Sequence, residues 1–205
     1  MNRDEATEKL QEIIGKDLVE IAANCGVTLF KNGKKNKGWV GHVVECHLGL
    51  PRNCLQSPDF GDWELKTVSM KKLKSGLIVP KETMAITMIN PDDVINNDFA
   101  NSHLKLKLNC LLIITRMWYA TSEPHSELLS VFQFDIDKNQ ELYSEIEADY
   151  EETRNCLKMK GFNALTGEMG KWIQPRTKGQ GNGAPKTRAF YARTSFLKRI
   201  LQDKD

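Results

Sequence analysis

Ser57-Pro58-Asp59-Phe60-Gly61-Asp62-Trp63-Glu64-Leu65-Lys66-Thr67 is the stretch on which the reading of this chain turns. Gly61-Asp62 is a turn signal, and after it Glu64, Lys66 and Val68 alternate with Trp63, Leu65 and Thr67, so strand period 2 puts Glu64 and Lys66 on one face. Two acids and a lysine therefore converge at a strand start. A divalent cation needs hard oxygen ligands, which Asp59 and Glu64 could supply with the carbonyl of Leu65 between them. A cation so held lowers the pKa of a bound water, and Lys66 beside it could orient or deprotonate that water for in-line attack on a phosphodiester. The same three residues at a strand end also make an ordinary surface ion-pair ladder, and by themselves they leave both readings open.

Outward from this strand, the chain reads as α/β. Leu10, Ile13, Ile14, Leu18, Ile21 and Ala22 recur at helical spacing before Gly26, predicting one amphipathic helix over 5–24. Lys31 to Lys37 reads as a polar loop. A second helical stripe runs from Val40 through Val43, Val44 and His47 to Leu48, closed by Gly49 and Pro51. Strand patterns are expected at 63–69, 83–90, 110–119 and 129–136. The third is nearly all apolar and so belongs in the middle of a sheet. Residues 139–160 return to helical period. The stretch 175–187, with three glycines and two prolines, reads as a mobile basic loop before a short strand at 188–192 and a last helix from Ser195.

Composition narrows the class. The 205 residues, 40% of them hydrophobic, suffice for one core, and a single domain is expected over 1–205: a helical part at 1–50, a catalytic sheet at 51–137, and a helix, basic loop and final helix at 138–205. No apolar run approaches the roughly 20 residues of a membrane span, and the acidic start MNRDEATEKLQEII does not read as a secretory leader. Five scattered cysteines suggest a reduced, cytoplasmic protein. The net charge of +2 hides a polarised chain: eight acids against Lys138 over 135–152, then eight bases and no acid from Met169 to Leu201. With Lys31/Lys34/Lys35/Lys37 and Lys71/Lys72/Lys74, this implies a positive surface of the kind that meets phosphates, or else an ordinary solvated face.

Six ordered blocks resemble one family. Lys37-Gly38-Trp39-Val40-Gly41 opens a helix that carries Glu45. Asp59-Phe60, Glu64-Leu65-Lys66-Thr67, Pro80-Lys81-Glu82-Thr83, Ser102-His103 with Lys107, and Arg188-Ala189-Phe190-Tyr191 follow in turn. Together they resemble the MutH-like family of PD-(D/E)xK DNA endonucleases across about 37–197. The resemblance implies a restriction-endonuclease-like fold, a mixed central β-sheet flanked by helices with a DNA-binding cleft. It also implies a catalytic set of Asp59, Glu64, Lys66, Glu45 and Lys107, and Mg²⁺ on Asp59, Glu64 and Leu65, with Mn²⁺ able to stand in. By position, double-stranded DNA would be contacted by Arg176, Lys178, Lys186, Arg188 and Tyr191.

The departures bear on function. The gap from Asp59 to Glu64 is shorter than the family pattern, which makes Asp62 a rival ligand. Where that pattern has an Arg-Pro-Lys run, this chain has Pro175-Arg176-Thr177-Lys178-Gly179, so recognition of GATC is not implied. These differences, with the absence of a long N-terminal segment, lean the reading towards a type II restriction endonuclease with a DNA methyltransferase as genetic partner. The alternatives are a mismatch-repair nickase of hemimethylated DNA, switched on by a partner ATPase, and a catalytically inactive DNA-binding module. His42, Cys46, His47 and Cys54 form a weaker zinc constellation without paired ligand spacing.

Overall fold

Asn2 opens the chain's first helix with a capping box, its side chain accepting from the backbone N–H of Glu5 while the Glu5 carboxylate accepts from that of Asn2. The computed structural model describes residues 1–50, 63–178 and 187–202. In chain order these form α1 (Arg3–Gln11), α2 (Leu18–Asn24), β1 (Phe30–Lys31), β2 (Lys34–Lys35), α3 (Trp39–His47), β3 (Glu64–Lys72), β4 (Ile78–Pro80) and β5 (Met84–Met88). There follow α4 (Pro91–Asn96), α5 (His103–Leu108), β6 (Leu111–Met117), β7 (Leu128–Phe134), α6 (Gln140–Lys160), β8 (Ile173–Lys178), β9 (Thr187–Ala192) and α7 (Thr194–Gln202). No described helix is long and apolar enough to cross a membrane. Contacts group residues 1–81 with 111–133 in one unit and 82–110 with 134–205 in another.

The first unit is built on a mixed sheet in the order β4-β3-β6-β7. β3 runs antiparallel to β4 and parallel to β6, with Glu64 opposite Leu111 and Met70 opposite Met117. As its apolar sequence predicts, β6 is an interior strand and all seven of its residues are buried. α3 packs beside β3, and α1 is held at β7, where Gln133 Nε2 donates to Asp4 Oδ1 at 2.6 Å and to Thr7 Oγ1 at 3.1 Å.

Here the single helix expected over 5–24 is corrected to two. Gly15 adopts φ +82°. Its N–H, and that of Leu18, turn to the carbonyls of Leu128 and Ser126 at 2.8 Å each, and the Lys16 carbonyl accepts from Leu128, so these backbone groups are spent on residues 126–128 rather than on a helix. Asp17 then restarts the helix, one carboxylate oxygen accepting from the N–H groups of both Val19 and Ser126. The polar loop at 31–37 is likewise a small hairpin, its Asn32-Gly33 turn in positive φ at both positions. Cys25 and Cys46, expected to be reduced, form a disulfide between the end of α2 and α3, their Cα atoms 6.2 Å apart and within bridging range.

In the second unit β5, β9 and β8 form an antiparallel sheet in that order. α6 buries Leu142, Ile146, Asp149, Tyr150, Thr153 and Leu157 along one face. The short helices α4 and α5 escape the periodicity reading because six residues hold less than two turns, although each has its cap: Asn90 followed by Pro91, and Ser102. The expected loop over 175–187 begins later than its composition suggests. Residues up to Lys178 pair with β9, and Pro175 is accommodated opposite Phe190 on the edge strand β8, where a missing N–H is tolerated. Residues 179–186, Lys186 included, lie outside the described residues.

Candidate active site

β3 begins at Glu64, and strand alternation brings Lys66 onto the same face: Lys66 Nζ donates to Glu64 Oε1 at 2.5 Å. Glu64 is only 3% exposed, while Lys66 keeps part of its surface. A buried carboxylate is costly unless its charge is met, and the ammonium two residues on meets it. The strand's start is fixed by Trp63, itself buried, whose Nε1 donates to the carbonyl of Met1 at 3.2 Å. Leu65 is buried in register with Leu112.

Glu45 sits part-buried on α3 next to Val43 and Val44, which form the helix's buried face, and α3 lies against β3. Asp59, its rival Asp62, and Cys54 lie outside the described residues. Lys107 is carried on α5 of the second unit and is 6% exposed; Ser102 of the same block caps that helix by accepting from the N–H of Lys105 at 3.1 Å. No group of three or more histidine, cysteine or acidic side chains suited to a metal is assembled among the described residues. Cys46, named above with His42 and His47, is instead joined to Cys25.

One supporting cluster is invisible in the sequence. Glu123, in a turn with φ +48°, is buried and accepts both guanidinium nitrogens of Arg116, at 2.7 and 3.0 Å. It also accepts from Lys35, one of the lysines read as a phosphate contact. Arg116 in turn stacks on Trp39, its Cζ 5.3 Å from the ring centroid, at the start of the helix that carries Glu45. Burial pushes the Glu123 carboxyl up, but the hydrogen bonds from Arg116 and Lys35 outweigh it and hold it below its ordinary value. The partners are 88 and 7 residues from Glu123, and only the closer one falls within any local pattern.

Four of the DNA-contact candidates, Arg176, Lys178, Arg188 and Tyr191, gather on one strand pair. Arg176 and Lys178 lie two apart on β8 and are exposed. Tyr191 on β9 pairs with Gln174, which lets Arg176 stack on the Tyr191 ring at 5.5 Å while donating to Thr83 Oγ1 at 2.8 Å. Arg188, opposite Thr177, turns to the Asn163 carbonyl at 3.4 Å and to the Phe162 ring at 5.7 Å. Two of the acids counted as a separate negative block are spent on bases of the positive one. Lys171 pairs with Glu145, and Arg199 with Glu141 at 3.6 Å. The charge polarisation of the sequence is in this measure folded onto itself, and two bases of the positive segment are met by acids of α6.

A mixed sheet flanked by helices, with a carboxylate–lysine pair on the first strand residues, has the form of restriction-endonuclease-like nucleases. The family profile described as "MutH: DNA mismatch repair enzyme MutH" matches residues 48–149, the segment that holds Glu64, Lys66 and Lys107. "DNA mismatch repair protein MutH" of Vibrio campbellii is 28% identical over 210 residues, covering 96% of this chain and 92% of its own length. The protein of the same name from Vibrio cholerae serotype O1 is 27% identical, covering 98% and 95%, and that of Shewanella sp. 27% identical, covering 98% and 94%. The chain is similar to the MutH-like family of PD-(D/E)xK endonucleases, over the profile-matched segment and along nearly the whole length of these relatives. Alignment length does not set it apart from relatives named for mismatch repair, and the lean towards restriction loses that support.

Proposed function

We propose that residues 1–205 work as one metal-dependent endonuclease domain that nicks the unmethylated strand of hemimethylated double-stranded DNA in the cytoplasm, switched on by a mismatch-repair ATPase. The observation that carries the nuclease chemistry is the Lys66 ammonium held on the buried Glu64 carboxylate at the head of β3. The choice of repair over restriction rests on the names of the relatives aligned along nearly the whole chain. Type II restriction, with a cognate methyltransferase as partner, is the second reading. It draws on the departure of the Pro175–Gly183 segment from the family's base-reading run.

The donor set suits a hard divalent cation: Glu64 and the Leu65 carbonyl offer oxygen only, and Asp59 would add a second carboxylate. Bound there, Mg²⁺ or Mn²⁺ would supply a lowered pKa for water and charge neutralisation at the phosphate. Lys66, its position set by Glu64, would orient the attacking water as an ammonium, and would take the water's proton only after giving up its own to solvent. Glu45 brings a further acid from α3, and Lys107 a second cation. Arg176, Lys178, Lys186, Arg188 and Tyr191 hold and read the duplex.

Plasmid DNA incubated with the protein in Mg²⁺ or in EDTA tests this. Slow nicking in Mg²⁺ alone, raised by hemimethylation, is the expected outcome, and linear product would favour restriction instead. Glu64→Ala and Lys66→Ala should abolish cutting while binding in Ca²⁺ persists. Near wild-type cutting by either variant sinks the site assignment, and an unchanged plasmid with the wild-type protein would leave only a DNA-binding module.

A further inference from the structure

Asp149 is a carboxylate in the buried face of α6, 5% exposed. Its oxygens accept from three consecutive backbone N–H groups: Oδ1 from Lys171 at 2.6 Å, Oδ2 from Trp172 at 2.7 Å and from Ile173 at 2.8 Å. On either side along the helix, Glu152 accepts from the N–H of Gly170 and Glu145 from Trp172 Nε1. The carbonyls of the same turn are held by Arg193, whose guanidinium donates to those of Gly167, Met169 and Gly170 at 2.9 Å each. The turn leaves no room for a side chain at Gly170, where a Cβ would lie 1.9 Å from the Ile173 carbonyl oxygen. Ile173, the last residue gripped, is the first of β8, and Arg176 stands three residues further on.

We propose that Asp149 is a positioning residue for DNA reading: it clamps the 167–173 turn by its N–H groups as Arg193 does by its carbonyls, and so sets the angle and register at which β8 presents Arg176 and Lys178. This rests on the reading of β8–β9 as the DNA-contact strands. A clamp at this point has a physical reason. A strand on the edge of a three-stranded sheet is restrained by one neighbour only, and a guanidinium must be placed within about 0.5 Å and 10–20° for bidentate recognition of a base edge. Burial pushes the Asp149 carboxyl up; the three amides, which favour the charged form, pull against that and offset it only in part.

Asp149→Asn keeps the volume but leaves one acceptor oxygen where the turn presents three donors. Thr153→Val is the control, since this buried hydroxyl on the same helix hydrogen-bonds to the Asp149 carbonyl and not to the backbone of the turn. With the full chain and plasmid DNA in Mg²⁺, sequencing the cut ends and following initial rates at temperatures where each variant is folded gives the ratio of preferred to random cutting. Asp149→Asn should lower that ratio about tenfold, through KM more than kcat, while hydrogen exchange at 171–178 rises. Thr153→Val should leave the ratio at the wild-type value. Arg193→Lys, which loses the fork that reaches three carbonyls, should move the ratio in the same direction and serves if Asp149→Asn does not fold. An unchanged ratio with faster exchange makes Asp149 a fold-holding residue and overturns the proposal. A wild-type protein that cuts no DNA removes the endonuclease reading itself, and this assignment with it.

Discussion

Glu64 and Lys66 show how far a single residue's role can be read from its neighbours. Alternation along a strand is a local rule, and it put the two side chains on one face, where the structure holds them at 2.5 Å. Glu123 has no such rule: its partner Lys35 is 88 residues away, and nothing in the turn around it marks it as a hub. Its value to the fold has a sign that can be worked out. The folded carboxyl titrates below its ordinary 4.5, so its contribution is fully present above that value and is lost as pH falls through the folded pKa. Glu123→Gln should therefore cost about 3 kcal/mol at neutral pH, the usual toll of leaving a buried partner charge unmet, and the gap to wild type should close as urea denaturation is repeated below pH 4.5. A gap that stays constant into acid would show that the charge of Glu123 is not what matters.

Among the elements, the long or strongly periodic ones were legible and the short or punctuated ones were not. α6 and β6 follow their patterns to within a residue or two. The predicted helix over 5–24 breaks because Gly15 and its neighbours find better backbone partners in residues 126–128, a competitor that helical periodicity cannot see. β8 extends into a segment whose glycines and prolines suggested a loop, since β9 supplies it with a ladder. The 167–173 turn is the element most sharply constrained by space. Gly170→Ala puts a Cβ against backbone at φ +75°, whereas Gly15→Ala, also at positive φ, meets nothing within 4 Å. Gly15→Ala should cost about 1–3 kcal/mol of strain, and Gly170→Ala clearly more, as the Ile173 carbonyl must move as well. Equal losses in chemical denaturation would mean that the turn gives way freely.

For the molecule as a whole, charge counted along the chain overstates charge offered to DNA. Lys171 is paired with Glu145, Arg199 with Glu141 and Lys105 with Asp137, while Arg193 is committed to backbone carbonyls. Lys178 is exposed on β8, and its ammonium has no acidic partner among the described residues. Lys178→Ala should thus reduce the slope of log affinity against log salt by about one unit, as expected for one lost phosphate contact. Lys171→Ala should leave the slope where it was; equal changes in both would return the whole basic segment to the DNA footprint.

Features governed by neighbours along the chain were legible before any fold was known. These are the α/β class, the interior strand at 111–117, the acid–lysine face of β3, and the ordered blocks that carry the family resemblance. The first three follow from period, capping and turn chemistry, which act over a few residues, and the blocks from likeness to a known family. It took the folded chain to show where 5–24 breaks, that Lys35 and Arg116 converge on Glu123, that Cys25 meets Cys46, and that acids of α6 grip the turn before β8. Each of those depends on which distant backbone groups and charges come within hydrogen-bond reach once the chain is folded, and a buried polar group takes whichever partner the fold brings to it.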